Sequence, residues 1–353
     1  YHSDIAFNFN VSDRELNTYR SRFPTSRSPY FDSYHMMDMY FDYLSWKMDE
    51  SYITLSRARG ASRGQAYFES VSYFNEQEFI KMMGIDDYHP LYRLRAFADY
   101  YYNKTFPVDE LARWMNKPRE YVIAMCIDLT NKGFLFYDRA NNEVTIKQKL
   151  YDYIDFYRKK LDYDVMSIFS ETSSPVDNAT LNMRNYKMSI KGVPRVFLSD
   201  SQNVRIFPYG REITLERNRS FEFNGVVQAG MITVFGHNFK FSYDTFKINL
   251  AKVDSIMLSV ETGEVDESGR ALARQVEDLI QMTKADLLID DPRNKSGLAS
   301  LEQYPIFNAY SESYVFYDKI PNLEGVYPQS DYYFRLIPFT FENTDRLSPS
   351  DLD

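Results

Sequence analysis

The sequence is poor in the residue types that carry most enzyme chemistry. A single cysteine, Cys126, stands in 353 residues. One thiol cannot close an internal disulfide, so a disulfide framework is excluded. There are four histidines, His2, His35, His89 and His237. No two are spaced i, i+4 and none sits in a Cys/His pattern, so the spacing supports no zinc site. A Gly-x-Ser-x-Gly nucleophile elbow and a Gly-Lys-Ser/Thr phosphate loop are both missing. No apolar run approaches the length of a bilayer-spanning helix. An excess of cationic side chains is absent too. Lys and Arg number 41 against 50 Asp and Glu, a net charge of −9, which argues against a general nucleic-acid binder. With 44% hydrophobic residues the chain can bury a core, which excludes a wholly disordered polymer.

Aromatic residues are abundant. Thirty Tyr and 27 Phe accompany only two Trp. Such rings suit pleated, half-buried strands, and tyrosine also serves contact surfaces where one end of the ring is wet. The chain opens Tyr1-His2-Ser3-Asp4, without an initiating methionine or a basic-plus-apolar leader. The expectation is a piece of something longer.

Four segments are expected along the chain. Residues 1–73 read as an extended arm and a small β region, with a short helix near 33–43, a hairpin at 44–48 and 52–56, and a strand at 65–72. The glycine-punctuated run 57–64 reads as a solvated loop. Residues 74–172 read as a helical domain. Asn75 caps a helix over 76–83 with Glu78 three residues on, and Gly84 stops it. Pro90 opens a helix over 91–102, with His89 as a capping or packing residue. Then come a helix at 107–115, a turn at 116–118, a helix at 119–131 ended by Gly133, and a hairpin of 134–138 with 143–147. This order over about 90–148 resembles a winged helix-turn-helix. An amphipathic helix over 149–161 and a strand at 164–169 close the segment, and a linker falls near 172–185.

A DNA-reading helix presents polar or basic side chains to the groove. The outward side of 119–131 carries Arg119, Glu120, Ile123, Ala124, Ile127, Asp128 and Asn131. Its acids repel phosphate, and its isoleucines are desolvated only against protein. Residues 90–150 hold ten cationic against seven acidic side chains, too small a surplus for tight binding to a polyanion. Tyr121, Ile123 and Ile127 are therefore expected to contact polypeptide. Cys126, on the inner side, reads as a small buried hydrophobe.

Residues 186–260 read as all-β. Short runs at 195–198, 203–207, 212–216, 221–228, 231–235, 238–243, 246–250 and 255–260 are separated by Asn, Asp, Gly or Pro. Turns this short point to a β-solenoid, or else a β-sandwich. Residues 261–353 read as mixed, with a helix over 271–282, a strand-like run at 285–290 and aromatic extended strands over 304–318 and 327–341. The acid pairs Asp86-Asp87 and Asp290-Asp291 read as turn residues rather than metal ligands. The expected class is thus α+β and multidomain, a winged-helix-like helical domain followed by an all-β segment.

The phrases NNEVTIKQKLYDYI (141–154), SDSQNVRIFP (199–208), RNRSFEFNGVVQAG (217–230) and GVYPQSDYYFRLIPF (325–339) resemble the later part of large uncharacterised exported proteins of the Bacteroidetes group. That resemblance implies a long parent chain and a cell-envelope location, periplasm or surface; a cytoplasmic one stays open. It lends no catalytic residue. The expectation is a non-enzymatic structural or protein-interaction segment of a large assembly, with no cofactor and no metal. Its partners are other protein chains or the rest of a longer polypeptide. A nucleic-acid-binding protein is the first alternative and a glycan-binding or glycan-acting protein the second.

Overall fold

A computed structural model describes residues 2–84, 88–199, 201–265, 271–275, 280–281, 284–316, 328 and 331–348. The chain divides into two compact units, Tyr1–Lys191 and Gly192–Asp353.

In the first unit the chain runs through β1 (Ile5–Asn10), β2 (Glu15–Arg20), β3 (Tyr30–Asp32), β4 (Met37–Tyr40), β5 (Tyr43–Lys47), β6 (Tyr52–Ser56) and β7 (Arg63–Ser70). Then follow α1 (Glu76–Lys81), α2 (Pro90–Tyr101), β8 (Thr105–Pro107), α3 (Val108–Met115), α4 (Arg119–Asn131), β9 (Leu135–Asp138), β10 (Glu143–Ile146) and α5 (Gln148–Tyr157). The unit ends with β11 (Ser167–Ser173), β12 (Ala179–Asn182) and β13 (Met188–Lys191). All sheets are antiparallel. β1, β2, β5, β6, β12 and β13 pair in that order, and β3, β4, β7 and β11 form a second sheet. A small sheet places β10 between β8 and β9.

Local chemistry accounts for the helix ends. Asn75 Oδ1 accepts from Glu78 N at 3.0 Å, and His89 Nδ1 accepts from Leu91 N at 3.2 Å ahead of Pro90. Asn116 takes the left-handed position after α3. Apolar side chains from the helices and the small sheet, among them Leu91, Leu94, Leu111, Val122, Leu150 and Ile154, share one buried cluster. Each such side chain stabilises the fold by about 1.5–3 kcal/mol.

The expected helical winged-helix domain is corrected. β7 and β11 pair residue for residue, from Glu69 with Ser167 to Arg63 with Ser173, so the helical stretch is an excursion between neighbouring strands of a β unit. Among the described residues there are five α-helices, and strand outweighs helix by 45% to 18%. The short helix expected near 33–43 is also absent; β4 occupies that span because Met37, Asp38 and Met39 are buried against β7.

The second unit comprises β14 (Val196–Ser199), β15 (Val204–Leu215), β16 (Phe221–Ala229), β17 (Ile232–Ser242), β18 (Lys247–Val265), β19 (Ala271–Gln275), β20 (Ile280–Gln281), β21 (Ala285–Leu288), β22 (Ile306–Ala309), β23 (Ser313–Phe316), β24 (Tyr333–Leu336) and β25 (Phe339–Phe341). Among the described residues neither a solenoid nor a sandwich is seen. β14 to β18 pair consecutively and antiparallel, whereas solenoid coils stack through parallel strands. β18 then meets β19, β20 and β21 along its other edge, giving one branched, open sheet rather than two facing ones. Some of the interruptions between the expected runs are turns, and others are irregularities inside long strands. The runs 203–207 and 212–216 are two halves of β15, joined across an irregularity between Pro208 and Ile213. Gly236 interrupts β17 in the same way, where a Cβ would overlap Lys252 O.

The helix expected over 271–282 is likewise corrected. Residues 271–275 and 280–281 are strands, 271–275 pairing with the end of β18; the rest of that span lies outside the described residues. One face of the sheet is a core, with Ile213, Leu215, Phe221, Phe239, Phe241, Ile248, Leu250, Leu287 and Phe307 at most 1% exposed.

Candidate functional site

Three places in the fold gather chemistry. The first is a buried charged cluster in the first unit. Asp38 on β4 stands directly opposite Glu69 on β7, so both carboxylates lie on one face of the sheet. Tyr40, two residues on, shares that face and a hydrogen bond with Glu69. Lys149 Nζ from α5 reaches Asp38 Oδ2 at 2.6 Å, the two side chains being 12% and 8% exposed. Burial opposes charge on the lysine, but Asp38, Tyr40 and Glu69 together outweigh it and hold the ammonium above its ordinary value. Burial pushes the Glu69 carboxyl up despite Lys149, and pushes the Tyr153 hydroxyl up to about 12. Gly133, at φ +84°, faces the pair; a Cβ there would sit 3.3 Å from Asp38 Oδ2 and 3.5 Å from Lys149 Nζ. A cleft of about 440 Å³ opens beside the cluster, with Tyr40, Glu69, Glu78, Lys132, Lys149 and Tyr153 among its lining. A lysine kept cationic is no nucleophile at neutral pH. The cluster ties α5 to the sheet.

The second place is the solvent side of the sheet in the second unit. Register carries one polar row across seven strands: Thr214, Glu222, Lys240, Asn249, Asp286, Asn308 and Thr340. Asp286 is 5% exposed and accepts from Lys247 Nζ at 2.8 Å, Asn249 Nδ2 at 2.8 Å and Tyr310 Oη at 2.7 Å. Burial first, then this bond, pushes the Tyr310 hydroxyl up to about 12. Over β15–β18 the row floors a groove of about 620 Å³.

The third is the edge strand β1. It pairs with β2, and no strand among the described residues meets its other edge. Phe7, Phe9 and Val11 are 70%, 39% and 76% exposed.

The residues singled out from sequence lie elsewhere. Tyr121 is exposed, with Lys117 Nζ 5.3 Å from its ring centroid. Ile123 and Ile127 are partly buried against the core cluster of their own unit. α4 also packs on the 3-10 turn Pro24–Arg27, where Asn131 Nδ2 donates to Pro24 O at 3.0 Å. Cys126 is fully buried, and burial pushes its thiol up to about 12. Asp290 is buried and takes local donors from Asp291 N and the Asn294 amide, together with the Gln202 amide from a distant part of the chain. Asp86 and Asp87 lie outside the described residues. Among the described residues no group of three or more His, Cys, Asp or Glu could hold a metal ion, and no helix is long and apolar enough to cross a membrane.

Sequence reasoning missed the charged cluster, the polar row and the edge. Only pairing register brings Asp38 to Glu69 or Glu222 to Lys240, and the local sequence does not encode it. The alternation Phe7-Asn8-Phe9-Asn10, without a charge, was the readable sign of the third. No family model, curated protein or solved structure matches the chain.

Proposed function

We propose that the chain is a non-catalytic protein-interaction segment of a larger assembly, and that a partner polypeptide adds as a strand along β1. The observation that carries this reading is the composition and exposure of that edge. Natural edge strands are guarded by charge, proline, a bulge or a covering element. Ile5–Asn10 contains no charged residue and no proline, and its pairing with β2 runs without a bulge. Its two phenylalanines and the neighbouring Val11 face water. An added strand satisfies the free backbone groups, and the aromatic rings supply side-chain contact. A tyrosine cluster at the end of α2 supports a second contact area, since Tyr100, Tyr101 and Tyr102 are 70%, 53% and 96% exposed.

The nucleic-acid alternative draws no support from α4. Arg119 is paired to Asp109 at 2.6 Å and Lys132 to Asp128 at 2.7 Å, so these cations already face carboxylates. The sequence resemblance adds an envelope setting to the proposal.

The double substitution Phe7→Lys and Phe9→Lys tests it. Both positions are exposed, so the fold is expected to survive. Light scattering on material isolated from the native source should find the wild-type chain in a stable complex and the variant released from it. A wild-type chain that persists as a monomer, or a variant that stays bound, contradicts the proposal.

A further inference from the structure

We infer that the groove on the solvent side of the second unit's sheet binds a neutral oligosaccharide. Bulges in β15, β16 and β17 bend this part of the sheet. The resulting concavity, about 620 Å³, lies in the range of small-ligand sites. Its floor is built from side chains that both give and take hydrogen bonds, and long paired strands hold them at the inter-strand spacing of about 4.8 Å. Asn224, Asn238 and Asn249 are exposed there. Asn224 uses its carbonyl oxygen for Asn238 N at 2.8 Å, and Asn249 uses its amide nitrogen for Asp286. Among the described residues the Asn224 amide nitrogen, the Asn249 carbonyl oxygen and the whole Asn238 side-chain amide have no protein partner. Sugar hydroxyls donate and accept at once, so they match such groups. Tyr209, 42% exposed, also lines the groove, its ring centroid 5.5 Å from that of His237, and adds an aromatic surface for a sugar to pack on.

Charge decides against an anionic occupant. Lys240 lies 2.5 Å from Glu216 and 3.7 Å from Glu222, and Glu212 adds a further acid. Phosphate or uronate groups would be repelled. A peptide finds no free backbone edge in the middle of a sheet, and the floor is polar.

Calorimetric titration of the full chain with hexasaccharides of glucose, mannose, xylose and N-acetylglucosamine tests the inference, with heparin as the anionic control. At least one neutral hexasaccharide should bind. Tyr209→Ala and Asn249→Ala should each weaken it by about three- to tenfold, the loss of one neutral contact; the melting midpoint of Tyr209→Ala should stay close to wild type, while that of Asn249→Ala should fall, because its amide also donates to the buried Asp286. Glu212→Gln should not create heparin binding. The inference is overturned if none of the four sugars binds, if both alanine variants bind like wild type, or if heparin binds more tightly than every neutral sugar.

Discussion

Lys149→Met tests the charged cluster, because methionine keeps the stem of the side chain and removes only the charge. The substitution strands Asp38, whose side chain is 8% exposed, opposite a second carboxylate, Glu69. Removing one partner of a buried pair typically costs about 3–5 kcal/mol. At a urea slope of about 2 kcal/mol per molar, the midpoint falls by about 1.5–2.5 M. Trp46 and Trp114, the two tryptophans of the chain, both lie in the first unit, so their fluorescence follows this unit within the intact protein.

The pH dependence has a definite sign. Lys149 is raised in the folded state, so its contribution is present below the lysine value of the unfolded chain and is lost only at strongly alkaline pH. Glu69 is raised as well. An acid raised by folding favours the fold below its unfolded value and loses that contribution as pH climbs through the folded one. The Lys149 charge works against that rise. Without the lysine, acidification favours the neutral Glu69 carboxyl, so the cost of Lys149→Met should be largest at pH 7 and shrink toward pH 4. A cost under about 1 kcal/mol at pH 7, on the scale of an exposed pair, or an equal cost at both pH values, refutes the reasoning.

Other outcomes follow from the same structure. Gly133→Ala adds a Cβ at φ +84°, 3.1 Å from Pro29 Cγ, and should destabilise the first unit by more than about 1 kcal/mol in the same urea assay. Asn75→Ala removes the cap of α1 and should cost about 1 kcal/mol, read as a lower melting midpoint. Cys126, with its thiol at about 12 and no exposed surface, should resist a thiol-reactive dye at pH 8 until denaturant is added; rapid labelling of the native chain would show that the site opens.

Much of the local structure was legible in the sequence because it rests on neighbouring residues. Asn75 as the cap of α1, His89 ahead of Pro90, and Gly133 after α4 are short-range devices, and each is found where the pattern puts it; the return bond of a capping box from Glu78 is not, since Asn75 N donates to Tyr153 Oη at 3.2 Å. The hairpin of β5 and β6 was equally readable. The architecture was not. Pairing of β7 with β11 spans about a hundred intervening residues, five helices and a small sheet among them, and nothing local announces it. Bulges at Pro208 and Gly236 look like the ends of strands, because a polar or glycine break carries the same letters whether the chain turns or merely kinks. Apolar residues at 272, 276, 279 and 280 suited a helix, yet the edge of β18 claims 271–275 as a strand. Ile123 and Ile127, expected to meet polypeptide, are packed partly against their own unit's core. The polar row exists only once seven strands stand in register.

The central claim is that β1 receives another strand. Hydrogen exchange at the amides of Ile5–Asn10 measures this directly, comparing the isolated chain with the complex from its native source. Slow exchange in the complex and faster exchange in the isolated chain is the predicted result. Equal exchange at these amides in both states would contradict it.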